Sequence, residues 1–188
     1  MVGLVPAVVQ VLSLLTTIVQ VLLVLFIIAL IFKLQNNKKL GKFFGFIKKK
    51  TLLIAFIAAL VAMLGSLFFS EIAHYTPCEL CWFQRILMYP QALILGIALL
   101  KKDKTVFRYA IPMSIIGALI GAYQYTKATI IGVATSSAGS CSLTTAGPSC
   151  FIDYFVKFGY VTIPLMAFTV FIIIIVMGLY SSGKEKKS

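Results

Sequence analysis

The stretch TPCELCWFQR, residues 76–85, interrupts a long apolar region of the chain. Residues 51–73 before it are predominantly apolar, and so are residues 82–100, which begin inside it. About 20 apolar residues cross the hydrocarbon core of a bilayer as a helix, so each segment is long enough to span it. The stretch therefore predicts a short connection at one face of a membrane between two spanning helices.

A helix is predicted to begin within this stretch. Thr76 is a good N-cap, Pro77 suits the first helical position, and Glu79 completes a capping-box pattern. Cys78 and Cys81 then lie in the first turn and a half. The partial positive charge at a helix N-terminus favours a thiolate over a thiol there.

Arg85 follows Cys81 by one helical turn and is predicted to share its face, together with Cys78. One interpretation is a structural disulfide, with the arginine reaching to the membrane interface. The other is a redox-active Cys78–Cys81 pair, with Arg85 stabilising a thiolate on Cys81 or binding an electron acceptor. An ionisable residue inside a span is a functional candidate, so the position of Arg85 favours the redox interpretation.

Composition indicates an integral membrane protein. Of the 188 residues, 61% are hydrophobic and 12% charged, whereas soluble domains are about half apolar and about a quarter charged. The net charge of +12 would suggest nucleic acid. However, 14 of the 17 basic residues flank apolar segments, within residues 33–50, 101–108 and 184–187. This distribution is typical of the positive-inside rule, so no nucleic-acid partner is predicted.

The hydropathy pattern predicts an all-α chain with five membrane spans. A signal peptide is disfavoured for the first apolar run because no basic residue precedes it and it is too long. An interfacial hairpin is the other alternative for this run. The predicted spans are residues 4–32, 51–73, 82–100, 106–131 and 159–180.

We expect three parts. Residues 1–50 form the N-terminal transmembrane helix and a basic cytoplasmic loop at the membrane surface. Residues 51–180 form a bundle of four transmembrane helices, and residues 181–188 form a basic cytoplasmic tail. The N-terminus and all four cysteines then lie outside the cell membrane, on the oxidising side.

Cys141 and Cys150 lie in the polar segment 132–158, between the last two spans. Taken alone they suggest a loop-closing structural disulfide. A second cysteine pair on the same face makes a redox relay more plausible. A four-cysteine zinc site is disfavoured by the wide second spacing and the oxidising side, so no metal is predicted.

Other polar and small residues are weaker candidates. His74, the single histidine, is more often a surface residue in this position than a general base. Residues 123–125, Tyr-Gln-Tyr, can line a pocket, although tyrosines are common at membrane interfaces. Gly117 and Gly121 predict close helix packing.

Three features together resemble one known family: C-x-x-C-x-x-x-R at a helix start, two cysteines in an outer loop, and the sequence GYVTIP at residues 159–164. This combination is similar to the DsbB family, and most like its BdbC-like branch, over roughly residues 51–180. The related VKOR-type proteins have their loop cysteines before the C-x-x-C, the reverse of this order.

The resemblance implies a four-helix bundle in the plasma membrane of a bacterium, with the first helix as an addition. It also implies a membrane thiol–disulfide oxidoreductase that supports protein disulfide bond formation. Its partner would be an extracytoplasmic thioredoxin-like protein of the DsbA type. Its electron acceptor would be a membrane quinone, menaquinone or ubiquinone. The alternative is a non-catalytic membrane scaffold whose outer loops hold two structural disulfides.

The resemblance also implies residue roles. Cys141 and Cys150 would form the disulfide that the partner attacks, at Cys141. Electrons would reach the Cys78–Cys81 pair through an inter-loop disulfide, Cys78–Cys150. Cys81, next to Arg85, would form the thiolate contact with the quinone.

Two positions depart from the family pattern. Gln124 stands where family members often carry histidine, and Ala128 stands where a glutamine is common. Gln124 can donate a hydrogen bond to a quinone carbonyl, but it cannot relay a proton.

Overall fold

The computed structural model describes residues 4–31, 38–134 and 158–182, and these ranges are almost entirely helical. Five helices in them are long and apolar enough to cross a membrane, as predicted. The chain is thus an all-α membrane protein. The helices are α1 (Leu4–Ile31), α2 (Lys38–Leu67), α3 (Glu79–Lys101), α4 (Phe107–Ala134) and α5 (Ile163–Ser182).

Helices α4 and α5 pack closely because glycines remove side chains from their interface. A Cβ atom at Gly117 would overlap the ring of Phe171, and one at Gly121 would lie 3.3 Å from Cβ of Phe168. On the other side of the same interface, a Cβ at Gly178 would lie 2.9 Å from Ile111. The predicted packing role of the two α4 glycines is confirmed.

The bundle core is mostly apolar, and a buried polar contact joins α3 and α4 within it. The largest fully buried apolar side chains include Leu95, Phe107 and Phe171. Among them, the hydroxyl of Ser114 donates to Oε1 of Gln91 at 2.8 Å. Such interhelical hydrogen bonds, together with small residues at the contacts, hold helices together where lipid removes the hydrophobic driving force.

Helix α1 packs on the bundle along α5 and α2. Nε2 of Gln20 donates to Oγ1 of Thr169 in α5 at 2.8 Å. Further along, the ring of Phe26 contacts those of Phe44 in α2 and Tyr180 in α5, at 5.6 and 5.4 Å between centroids. Helix α1 is therefore attached to both of its neighbours.

Helix α2 begins earlier than the sequence predicted. Residues 33–50 were expected to form a loop, but the chain is helical from Lys38 onwards. Lysine is a good helix former and no proline occurs in this segment, so nothing stops the helix from extending beyond the apolar run. The apolar span itself begins at Phe44.

The second span ends about where it was predicted to end, near residue 73, whereas the last helix starts later than predicted. After α2, a π-helical turn over Phe68–Ile72 continues the helical path, with the amide of Ala73 donating to Phe68 at 3.0 Å. Helix α5 begins at Ile163 rather than at residue 159. Phe158 and Gly159 have left-handed backbone angles, φ +53° and +78°, so the chain turns there before the helix starts.

Candidate active site

The dithiol lies at the N-terminus of α3, but the helix starts later than predicted. Cys78 is the N-cap, with extended angles of φ −78° and ψ 173°, and Glu79 is the first helical residue. The first helical main-chain bond runs from Trp82 to the carbonyl of Cys78, at 3.1 Å. The predicted N-cap at Thr76 is therefore wrong. The extended angles of Cys78 keep it out of the helix, so Cys78 takes the N-cap position in place of Thr76.

This start places both sulfurs at the positive end of the helix dipole. The Sγ atoms of Cys78 and Cys81 are 3.4 Å apart, and the Cys78 thiol donates to the Cys81 sulfur. Cys78 is buried, at 5% exposure, whereas Cys81 is half-buried. A disulfide bond measures about 2.05 Å, so this pair is a dithiol whose sulfurs are near enough to join after small rotations.

A side-chain amide from α4 contacts both sulfurs. Nε2 of Gln124 lies 3.6 Å from Sγ of Cys78 and 3.6 Å from Sγ of Cys81. Nε2 of Gln84, one turn below Cys81 on α3, donates to Oε1 of Gln124 at 2.9 Å. The Gln84 bond engages the oxygen of the Gln124 amide, so the nitrogen is the end that faces the dithiol.

Arg85 and Tyr89 join α3 to the end of α2. One terminal nitrogen of Arg85 donates to the carbonyl oxygen of Ser66 at 3.2 Å. The hydroxyl of Tyr89 donates to Oγ of the same serine at 3.3 Å. The guanidinium also lies over the ring of Trp82, 5.4 Å from its centroid. Since a guanidinium has five N–H donors, the bond to Ser66 leaves Arg85 further donors for a ligand.

These side chains surround one end of a cavity of about 440 Å³. The polar end is lined by the two cysteines, the two glutamines, Arg85, Tyr89 and Ser66. The remaining walls are mostly apolar and come mainly from α1, α2 and α5, with Thr16 and Thr169 as polar members. A cavity of this size, mostly apolar with a few converging polar groups, is typical of sites for small molecules and cofactors.

The structure thus brings together four of the residues singled out in the sequence: Cys78, Cys81, Arg85 and Gln124. The other two, Cys141 and Cys150, lie outside the described residues. His74 is exposed, in line with the surface interpretation. Tyr123 and Tyr125 do not line this cavity. Tyr123 instead lies beneath the ammonium group of Lys127, at 5.9 Å.

Gln84, Ser66 and Tyr89 also line the polar end of the cavity but were not predicted from the sequence. Gln84 had a usable signal, since it is an amide inside a predicted span, directly before Arg85. A polar side chain in that position needs a buried partner, and Gln124 provides it. Ser66 and Tyr89 had no comparable signal, because their contact joins two helices.

Comparison with known proteins assigns the chain to a family. A family model described as "Disulfide bond formation protein DsbB" matches residues 48–181. "Disulfide bond formation protein C" of Bacillus subtilis is 44% identical over 133 residues, covering 71% of this chain and 93% of that protein. "Probable disulfide formation protein C 2" of Bacillus cereus is 42% identical over 141 residues, covering 75% of this chain and 97% of that protein.

A more distant relative, "Probable disulfide formation protein" of Coxiella burnetii, is 36% identical over 146 residues, covering 76% of this chain and 96% of that protein. No solved structure matches the chain significantly. The matched family region includes the dithiol, Arg85 and Gln124, and it leaves out α1. This chain belongs to the DsbB family of disulfide bond formation proteins, and it is a multi-pass membrane protein with a dithiol at the start of its third helix.

Proposed function

We propose that this chain reoxidises an extracytoplasmic thioredoxin-like partner of the DsbA type and transfers the electrons to a membrane quinone. Its family membership already implies disulfide bond formation at a membrane. The partner and the acceptor are the additional claims. The observation that carries the acceptor is the dithiol at the polar end of an otherwise apolar cavity, within a bundle of membrane-spanning helices.

The donor set at the polar end fits a quinone. A quinone ring presents two carbonyl oxygens, which need hydrogen-bond donors. Gln124 offers an amide N–H₂ group and Arg85 offers guanidinium N–H groups, and both residues line the cavity beside the sulfurs. When bound, the quinone supplies a two-electron acceptor that is soluble in lipid. Gln124 and Arg85 would hold its ring, menaquinone or ubiquinone, against Cys81.

Cys81 is the sulfur best suited to face the acceptor. Both cysteines line the cavity, but Cys81 is half-buried whereas Cys78 is almost fully buried. Cys81 accepts hydrogen bonds from the Cys78 thiol and from the Gln124 amide. Both donors, with the helix N-terminus and the nearby Arg85, stabilise a thiolate on this sulfur.

Cys141 and Cys150 would provide the route from the partner, a role taken from the family resemblance. The partner's dithiol would be oxidised as its thiolate attacks the Cys141–Cys150 disulfide, which becomes a dithiol. A second exchange, through a Cys78–Cys150 disulfide, would pass two electrons and two protons to the Cys78–Cys81 pair. Each exchange needs a thiolate attacker and a disulfide, so the cysteines must meet on one side of the membrane.

The positive-inside pattern supports the orientation that this route requires. The N-terminus and both cysteine pairs would lie outside the cytoplasm, and the lysine-rich segments and the C-terminus would lie inside. Labelling of single introduced cysteines with an impermeant maleimide in intact cells would check this. Labelling at Ser188→Cys from outside would contradict the orientation.

The experiment that tests the function uses the purified chain in lipid nanodiscs, with a reduced thioredoxin-like protein and a quinone. We expect quinone reduction by the wild type and a loss of at least about 100-fold when any of the four cysteines is changed to serine, because the nucleophile is removed. With a small dithiol in place of the protein partner, Cys141→Ser and Cys150→Ser should regain turnover, whereas Cys78→Ser and Cys81→Ser should not.

Undiminished turnover in Cys78→Ser and Cys81→Ser would exclude the proposed chemistry. The scaffold alternative has a different signature. Under that alternative, both disulfides would stay oxidised after a pulse of reductant or be reoxidised at a rate that does not depend on added quinone. Thiol trapping at timed intervals separates the two functions.

A further inference from the structure

Helix α1 supplies one wall of the cavity. Four of its residues line the space, and their spacing of three and four places them in one stripe along the helix. Residue 48 begins the matched family region, so this wall is an addition to the family bundle. The stripe consists of Leu12, Leu15, Thr16 and Val19.

The cavity is elongated, with its polar groups at one end. Ser66, beside Arg85, and Ile54 both line it from α2. At about 1.5 Å of rise per residue, the helix separates these two positions by about 18 Å. Between them α2 contributes Ile57, Ala58 and Val61, and all are apolar. The space therefore continues from the dithiol deep into the level of the hydrocarbon core.

The wall formed by α1 is held in place by contacts along its length. Gln20, one residue beyond Val19, donates to Thr169, which itself lines the cavity. The hydroxyl of Tyr160 donates to Oγ1 of Thr17, near the middle of α1, at 3.4 Å. A Cβ on Gly65 of α2 would lie 3.7 Å from Leu12, so the two helices are near van der Waals contact there. Without α1, the space between α2 and α5 would be a groove open to lipid.

We propose that α1 converts this groove into a tunnel for the isoprenoid tail of the quinone, so that the chain selects its acceptor by the tail as well as by the ring. This inference rests on the proposed function, since it takes the quinone ring to occupy the polar end. A single ligand that fills both ends needs a polar ring joined to a long apolar chain. The tunnel walls are uncharged and consist mainly of Val, Ile, Leu and Ala, which suits a hydrocarbon chain.

Binding can be measured without turnover, because the chain has a single tryptophan, Trp82, next to Arg85. Quinones quench tryptophan fluorescence at short range. The experiment titrates the full chain in nanodiscs of one lipid with two quinones that share a ring. One has no tail and the other has several isoprene units, and both are compared at equal mole fraction in the lipid.

Val19→Phe narrows the tunnel from α1, and Val21→Phe is the matched control, since Val21 is 55% exposed and does not line the cavity. We expect Val19→Phe to raise the Kd of the tailed quinone about tenfold, equal to about 1.4 kcal/mol, and to leave the tailless Kd within about twofold. Val21→Phe should leave the Kd of both quinones unchanged. If Val19→Phe does not fold, Thr16→Phe narrows the same wall.

Three results would overturn the tunnel. The first is an equal change in the Kd of both quinones in Val19→Phe, and the second is no change in either Kd. The third is the same rise in the Kd of the tailed quinone in Val21→Phe. A lipid acyl chain as the usual occupant would give the second of these results. Failure of the proposed function looks different, because the wild type would then bind and reduce neither the tailed nor the tailless quinone.

Discussion

Gln84 donates a hydrogen bond to Oε1 of Gln124 at 2.9 Å, and this contact determines which end of the Gln124 amide faces the dithiol. Both side chains are buried, at 6% and 3% exposure. With its oxygen engaged, Gln124 directs its nitrogen toward Cys78 and Cys81, each at 3.6 Å. Helix α3 therefore carries the dithiol and also orients the donor from α4 that acts on it.

Gln84→Met should slow the reaction of Cys81 with iodoacetamide by up to about tenfold, because a hydrogen bond of about 0.5–1.5 kcal/mol no longer holds the Gln124 donor in place. The rate is read by mass spectrometry of the peptide containing Cys81. Gln91→Met is the matched control, since Gln91 is a buried amide two turns further along α3 and outside the cavity. A similar slowing in the control would indicate loosened packing rather than a positioning role.

Gln124→His should add a pH dependence that the wild type lacks. An amide does not titrate, whereas an unperturbed imidazole changes charge at a pKa of about 6.5. We expect the turnover of Gln124→His to show an additional inflection when measured from roughly pH 5 to pH 8. Gln124→Leu should lower turnover without that inflection. Identical pH profiles for Gln124→His and the wild type would argue against a ligand-facing position for residue 124.

Arg85→Ala should raise the KM for quinone at least about tenfold, because hydrogen bonds from a charged donor contribute about 1.5–3 kcal/mol. The KM of Arg85→Lys should lie between those of the wild type and Arg85→Ala, since lysine keeps the charge but loses the planar fork of donors. Arg108→Ala controls for the loss of a positive charge, because Arg108 is exposed at the start of α4 and outside the cavity. An unchanged KM in Arg85→Ala would remove Arg85 from the quinone site.

Gly117→Ala should lower the free energy of unfolding by about 1–3 kcal/mol, since its Cβ would overlap the ring of Phe171. The second change Phe171→Leu should restore part of this loss by removing the ring. Gly45→Ala is the control, because no atom lies within 4 Å of the position of its Cβ. Thermal unfolding in detergent measures all three. Equal stability of the Gly117 and Gly45 variants would contradict the close contact between α4 and α5.

The five spans could be predicted because the length of each apolar segment can be counted in the sequence. In lipid, a segment can cross the bilayer only in a structure, such as a helix, that hydrogen-bonds all of its backbone N–H and C=O groups. Helix starts were less predictable. Lysines let α2 begin at Lys38, and left-handed residues delay α5 to Ile163. Both effects depend on the local backbone rather than on hydropathy.

The dithiol, Arg85 and Gln124 could be identified from spacing and from family resemblance. The Gln84–Gln124 bond and the α1 wall could not. Each joins residues far apart in the chain, 40 positions in the first case, and such contacts depend on how the helices are arranged in space. The spacing of apolar residues within one helix does not predict these contacts.

The central claim is that the Cys78–Cys81 dithiol itself gives its electrons to quinone. The most direct test is a single turnover without the loop pair. The Cys141→Ser/Cys150→Ser double variant is reduced, placed in anaerobic nanodiscs and mixed with one equivalent of quinone. Absorbance measures quinol, and mass spectrometry measures the peptides linked through Cys78 and Cys81.

We predict one Cys78–Cys81 disulfide for each quinol formed, and neither product when Cys81→Ser is added. Quinol formed without that disulfide, or a dithiol that remains reduced in the presence of quinone, would contradict the account.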